Sequence, residues 1–161
     1  MESPQPTAEH RWLERLIGDW TFQGECNMGP DQPTMHSTGK ESVRSLGGLW
    51  TIGDGECEMP DSGHCKTIMT LGFDPVAKQF VGTFIASVIT HLWTYRGTLD
   101  ASNKVLTLDT QGPSVTGDGS TAKYQDVIEF VDDNHRALTS QFLGPDSNWV
   151  PFMKNHYRRI S

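Results

Sequence analysis

Long apolar runs are missing from this chain. None approaches the roughly 20 residues that cross a bilayer as a helix, and the opening Met1-Glu2-Ser3-Pro4-Gln5-Pro6 holds neither a basic stretch nor an apolar core for export. A cytoplasmic protein with no membrane attachment is the expectation. Positive charge is also short: 13 Lys and Arg against 20 Asp and Glu leave a formal charge of -7, and the basic residues are scattered apart from Arg158-Arg159. That lacks the basic footprint needed to displace counterions from a phosphate backbone, which argues against a nucleic-acid partner. Cysteine is scarce and unpatterned. Cys26, Cys57 and Cys65 form no C-x-x-C, and an odd count fits reduced thiols better than a disulfide framework. Cys57 and Cys65 flank the turn Met59-Pro60-Asp61-Ser62-Gly63, so a hairpin would set them face to face, with packing as their expected role.

What is plentiful is punctuation. Sixteen Gly and nine Pro break a chain of 161 residues into short alternating segments, the composition of strands joined by tight turns rather than of a helical bundle. The length suits one domain. Thr7 is placed to cap a short helix over Ala8 to Leu16, whose Trp12, Leu13, Leu16 and Ile17 form one apolar stripe. From Gly18 to Met28, Trp20, Phe22, Gly24, Cys26 and Met28 share one face and Thr21, Gln23, Glu25 and Asn27 the other, as in a half-buried strand. Further strands are expected over Met35–Leu46, Trp50–Glu58, Cys65–Phe73, Phe80–Ser87, His91–Asp100, Val105–Gln111, Lys123–Val131, Arg136–Leu143 and Trp149–Ile160. Gly112 to Ser120 reads as a loop and mobile rim. No connection is long enough for a crossover helix, so neighbours pair antiparallel. The expected architecture is all-β: a single domain over 1–161, with residues 1–17 as tail and plug helix and 18–161 as a closed up-and-down antiparallel barrel of about ten strands.

The Gly18-Asp19-Trp20 triplet after a plug-like helix resembles the opening of calycin-type barrels, the group that holds lipocalins and fatty-acid-binding proteins. The resemblance implies that Trp20 packs at the closed end against an arginine of the last strand, Arg158 or Arg159, by cation–π stacking. The longer run Leu16 to Pro30, with Gly72-Phe73-Asp74-Pro75, resembles the bacterial family called domain of unknown function 1579 over nearly the whole chain; no activity comes with that name. A more distant similarity is to nitrobindin, a ten-stranded haem barrel, through Ile17-Gly18-Asp19-Trp20 and Gln23-Gly24-Glu25. Its axial histidine aligns with Phe152 in Pro151-Phe152-Met153-Lys154, and a phenyl ring cannot ligate iron. No cofactor is therefore expected; haem would need a substitute ligand such as His91 or His156.

The candidate site is a pocket inside the barrel. Trp20, Phe22, Met69, Phe84, Trp93, Tyr95, Tyr124, Met153 and Tyr157 are its expected walls, and His91, Tyr95, Tyr124 and Asn155 are the groups placed to fix a polar substituent. Asp126 and Asn155 are polar positions on otherwise apolar faces; each needs a partner or water if it points inward. Asp54, Glu56, Glu58, His64 and His91 match no familiar metal spacing, and alternating acids read better as a solvated face. No nucleophile elbow appears, so no catalytic residue is assigned. The expected function is binding of a small, mainly apolar molecule. The alternatives are an isomerase or hydrolase using His91 with Tyr95 or Asp126, and a solid-cored scaffold that forms a homodimer through its wall.

Overall fold

In the computed structural model residues 2–59 and 63–161 are described; Pro60, Asp61 and Ser62, at the tip of the expected β3–β4 turn, lie outside the described residues with Met1. Helix α1 spans Ala8–Leu13 and tightens into a 3-10 turn over Glu14–Leu16. Thr7 caps it reciprocally: its hydroxyl accepts from the His10 amide while the His10 ring Nδ1 accepts from the Thr7 amide at 3.0 Å. The role usually taken by Glu or Gln at this position falls to a buried imidazole edge-on to Phe73.

Ten strands follow: β1 (Gly18–Cys26), β2 (Met35–Leu46), β3 (Trp50–Met59), β4 (Gly63–Asp74), β5 (Gln79–Ala86), β6 (Ile89–Leu99), β7 (Val105–Pro113), β8 (Thr121–Asp132), β9 (His135–Leu143) and β10 (Trp149–Arg159). Each pairs antiparallel with its neighbours in the chain, and β1 pairs with β10, so the sheet closes. Among the described residues no helix is long and apolar enough to cross a membrane.

Strand ends shift by a residue or two from the expected ones; two of these shifts and the facing of β3 have a local reason. β1 stops at Cys26 because the Asn27 side chain turns back, accepting from the Gly29 amide at 2.9 Å and donating to Thr34, which leaves Met28 outside the strand and exposed. β7 runs past Gln111 to Pro113, held by pairing to β8 and by the Tyr124 hydroxyl, which donates to the Pro113 carbonyl at 2.5 Å. The expected loop is thus confined to the residues after Pro113. In β3, Thr51, Gly53 and Gly55 are buried inward, so Trp50 and Ile52 belong to the outer face.

The core is divided along the barrel axis. At the helix end, Trp12, Leu13, Leu16, Trp20, Phe80, Leu106, Leu108 and Phe130 are buried in contact with one another, and Trp12 meets Phe80 and Phe130 edge-to-face. The Trp12 indole donates to the Asn103 carbonyl at 2.7 Å, which fastens α1 to the turn between β6 and β7. Trp20, wholly buried, donates to the Leu16 carbonyl at 2.9 Å. Its ring lies under two guanidiniums, Arg159 at 4.2 Å and Arg136 at 4.6 Å. Arg159, the register partner of Trp20, also donates to the Ile17 and Arg15 carbonyls. Arg158 falls on the outer face. Glycine is required at Gly18: φ is +133°, and a Cβ there would strike the Arg159 guanidinium and the Ser161 carbonyl.

Candidate functional site

The other half of the barrel is hollow. A cavity of about 480 Å³ opens at the end away from α1. The alternation of each strand supplies its walls: Phe22 and Cys26 from β1, Met35 and Ser37 from β2, Cys57 from β3, Cys65, Thr67 and Met69 from β4, Phe84 and Ala86 from β5, Trp93 and Tyr95 from β6, Tyr124, Asp126 and Ile128 from β8. Leu138 and Ser140 of β9 and Phe152, Met153, Asn155 and Tyr157 of β10 complete them. A register shift between Pro151 and Met153 is the reason Phe152 and its neighbour Met153 both reach the interior. The space exists partly because residues opposite the bulky groups are small. Gly112 lies against the Trp93 ring and Gly39 against the Phe22 ring, each so close that a Cβ would overlap the aromatic carbons.

Between hollow and solid halves lies a band of polar groups. Tyr95 donates to Asp126 Oδ2 at 2.5 Å and Ser140 donates to Asp126 Oδ1 at 2.6 Å. Burial raises the Asp126 pKa above the ordinary carboxylate value, opposed by these two hydroxyl donors. The Tyr95 phenol is driven well up, first by burial and then by the Asp126 charge. Beside them Arg136 donates to Glu41 at 2.7 Å, with both side chains largely sequestered, and its guanidinium stacks 4.0 Å over Tyr157. Burial, followed by the Glu41 charge, pushes the Tyr157 phenol up. Three buried polar atoms near this band find no protein partner: Thr110 Oγ1, Arg136 Nε and Asn155 Oδ1.

The expected wall residues Phe22, Met69, Phe84, Trp93, Tyr95, Tyr124, Asn155, Tyr157 and Met153 all line this cavity. Trp20 does not: it belongs to the packed closed end, where its neighbours are the two arginines and the helix. His91 stands beside Trp93, edge-on at 4.6 Å, with Nε2 on the Gln111 carbonyl at 3.0 Å, and is outside the cavity lining. The pairing of His91 with Tyr95 or Asp126 is therefore not made; Tyr95 and Asp126 pair with each other. Glu41, Arg136, Ser140 and Thr110 also line the cavity, beyond the expected residues. Strand parity carried the signal for Arg136 and Ser140, which flank the apolar Leu138 at two-residue spacing.

Cys57 and Cys65 are direct register partners, as the turn between them implied. Burial and the neighbouring Cys65 thiol push the Cys57 thiol up to about 11, which suppresses thiolate chemistry. The acids Asp54, Glu56 and Glu58 lie on the outer wall, where Arg44 and Lys40 approach Asp54 and Glu56 at 3.9 and 3.7 Å. No group of three or more His, Cys, Asp or Glu among the described residues is arranged to hold a metal ion. A wider depression of about 1070 Å³ on the outside of β10, β1 and β2 is open to solvent and lined by charged and polar side chains such as Lys40, Glu56, Lys154 and Arg158.

Over residues 5–159 the chain matches the family described as Protein of unknown function (DUF1579), and it belongs to that family. No curated protein matches its sequence. Among solved structures it is similar to Rv2717c from M. tuberculosis, with a TM-score of 0.67 at 11% identity over 98% of this chain and 100% of that one. It is similar as well to the S-type phycobiliprotein lyase CPES from Guillardia theta, with a TM-score of 0.64 at 12% identity over 96% and 94% of the two chains. A third likeness is to EF1p2_mFAP2b bound to DFHBI, with a TM-score of 0.50 at 11% identity over 93% and 98%. At such identities the likeness is one of fold.

Proposed function

We propose that this protein is a small-molecule-binding barrel that holds a mainly apolar, ring-bearing ligand in its hollow half. The observation that carries this reading is a 480 Å³ cavity walled by aromatic side chains and floored by convergent polar groups. Proteins bind small molecules in concavities of this size and make-up, largely preformed, with a few polar groups fixing orientation. Affinity would come from apolar surface removed from water, at about 25 cal/mol per Å². Trp93, edge-on to Tyr124 at 5.1 Å, and Phe152 offer ring faces and edges for stacking. The fold is compatible with such use, since a solved neighbour is bound to DFHBI and another is named as a phycobiliprotein lyase.

A solid-cored scaffold does not account for the empty half. Haem is a poor match to these residues: Phe152 brings a phenyl ring to the wall, His156 alternates outward beside buried Asn155 and Tyr157, and His91 is held on the Gln111 carbonyl. Native mass spectrometry of protein purified from its own host tests the proposal. A retained non-covalent mass of a few hundred daltons, released by denaturation, is the expected result; a clean apo mass, together with no saturable binding across a panel of aromatic compounds, would overturn it.

A further inference from the structure

The charges inside the barrel do not cancel. Glu41 and Arg136 neutralise one another at 2.7 Å, and among the described residues lining the cavity the only other ionisable base is His36, an exposed residue at the mouth. Asp126 remains. Its two oxygens each accept one hydroxyl, from Tyr95 and Ser140, and both donors are neutral. A carboxylate oxygen has two acceptor positions, so each keeps one free. The carboxylate lies on the inward face of β8 between Tyr124 and Ile128, all three lining the cavity, so a molecule in the hollow half reaches it directly. Asn155 Oδ1, buried and without a partner, is a further unused acceptor, packed against Gly24 at the level of Leu138 and Ile128. Ionised, Asp126 gives the floor a negative charge that no cation of the lumen cancels, together with spare acceptors, surrounded by ring systems whose faces attract cations.

Resting on the proposed use of the cavity for small molecules, we infer that the lumen selects a cationic ligand: an aromatic or apolar body bearing a protonated nitrogen whose N–H seats on Asp126. A free carboxylate or phosphate on the ligand would face Asp126 with like charge and is rejected. A neutral isostere would fill the same walls but leave the carboxylate unneutralised. The apolar body supplies burial, and Asp126 supplies the choice among head groups.

Three compounds with one ring system separate the terms: 2-naphthylmethylamine, protonated at pH 7; 2-naphthylmethanol, neutral; and 2-naphthoate, anionic. Calorimetric titration of wild-type protein is expected to give the ammonium at least tenfold tighter binding than the alcohol, about 1.4 kcal/mol, with the carboxylate weaker than both. In Asp126→Asn the ammonium advantage is expected to vanish while alcohol binding persists, which also shows that the variant is folded. If Asp126→Asn does not fold, the double variant Tyr95→Phe/Asp126→Leu, which removes the charge together with one of its donors, must lose the ammonium advantage in the same way. Alcohol binding equal to ammonium binding in wild type, carboxylate binding tighter than either, or an undiminished preference in Asp126→Asn or in the double variant would each overturn the inference while leaving the binding barrel intact. Failure of all three compounds to bind wild-type protein would count against the binding reading itself and this inference with it.

Discussion

Tyr95 of β6 and Asp126 of β8 meet across the inside of the barrel, phenol oxygen to carboxylate oxygen at 2.5 Å, although β7 separates their strands. The contact marks where the packed half of the barrel gives way to the hollow one. A hydrogen bond to a buried charge is worth more than one between neutral groups, about 1.5–3 kcal/mol. Tyr95→Phe is therefore expected to destabilise the fold by roughly that amount, read as a lower midpoint in urea with an unchanged slope.

The same carboxylate gives stability a pH signature of known sign. Burial raises the Asp126 pKa in the folded state, so the native protein binds this proton more tightly than the unfolded chain. Its contribution is present below the unfolded value near 3.8 and is lost as pH rises through the folded value. The exposed Asp19, Asp100, Asp118 and Asp146 are shifted down by local hydrogen bonds, foremost to Ser42, Ser102, Ser120 and Asn148, and act in the opposite sense. The useful quantity is thus the difference between wild type and Asp126→Asn. Denaturant melts from pH 3 upward should show wild type losing stability relative to the variant as pH rises; a difference independent of pH would refute the assignment.

At the closed end, Trp20→Ala removes a fully buried ring in contact with two guanidiniums and leaves a cavity. A loss of about 3–5 kcal/mol is expected, by analogy with other large aromatic truncations. Trp20→Phe keeps most of the packing but abandons the Leu16 carbonyl, at a cost of about 1–3 kcal/mol. Thermal or urea unfolding measures both, and neither variant that stays folded should change the selectivity proposed for the hollow half.

All three tyrosines, Tyr95, Tyr124 and Tyr157, have phenol pKa values raised above 10 by burial. Because the unfolded chain would ionise first, these groups stabilise the fold below pH 10 and that support is lost above it. Absorbance near 295 nm should report less phenolate at pH 10 than the half-ionisation of unperturbed phenols, and the remainder should appear together with the loss of circular dichroism. Half-ionisation of the folded protein at pH 10 would contradict the burial of these rings.

Much of the architecture was legible because the period-two pattern is strong where one face meets the interior. Trp20, Phe22 and Gly24 alternate with Thr21, Gln23 and Glu25, and the structure buries the first set and exposes the second. The final strand repeats the pattern at Asn155 and Tyr157; the match of Trp20 to Arg158 or Arg159 rested on the calycin resemblance, and the register assigns it to Arg159. What alternation cannot report is depth along the barrel axis. Trp20 and Phe22 face the same way, yet one is core and the other wall, because the plug helix fills only one end. Nor could it anticipate Glu41 with Arg136: the partners are 95 residues apart and meet only after β1 has zipped to β10. His91 is absent from the cavity lining for a related reason. Its strand places it inward, but at the rim, where the Gln111 carbonyl is nearer than anything inside.

The claim on which the rest depends is that the hollow half admits a ligand. Ala86 lines it on β5 opposite Thr67, and Ala86→Trp would put an indole into the space. Titration of a polarity-sensitive aromatic dye into wild type and Ala86→Trp is the most direct measurement. Saturable one-to-one binding to wild type, reduced at least tenfold in a variant with unaltered circular dichroism, is the expected result; equal binding by the two folded proteins, or none by wild type, would contradict it.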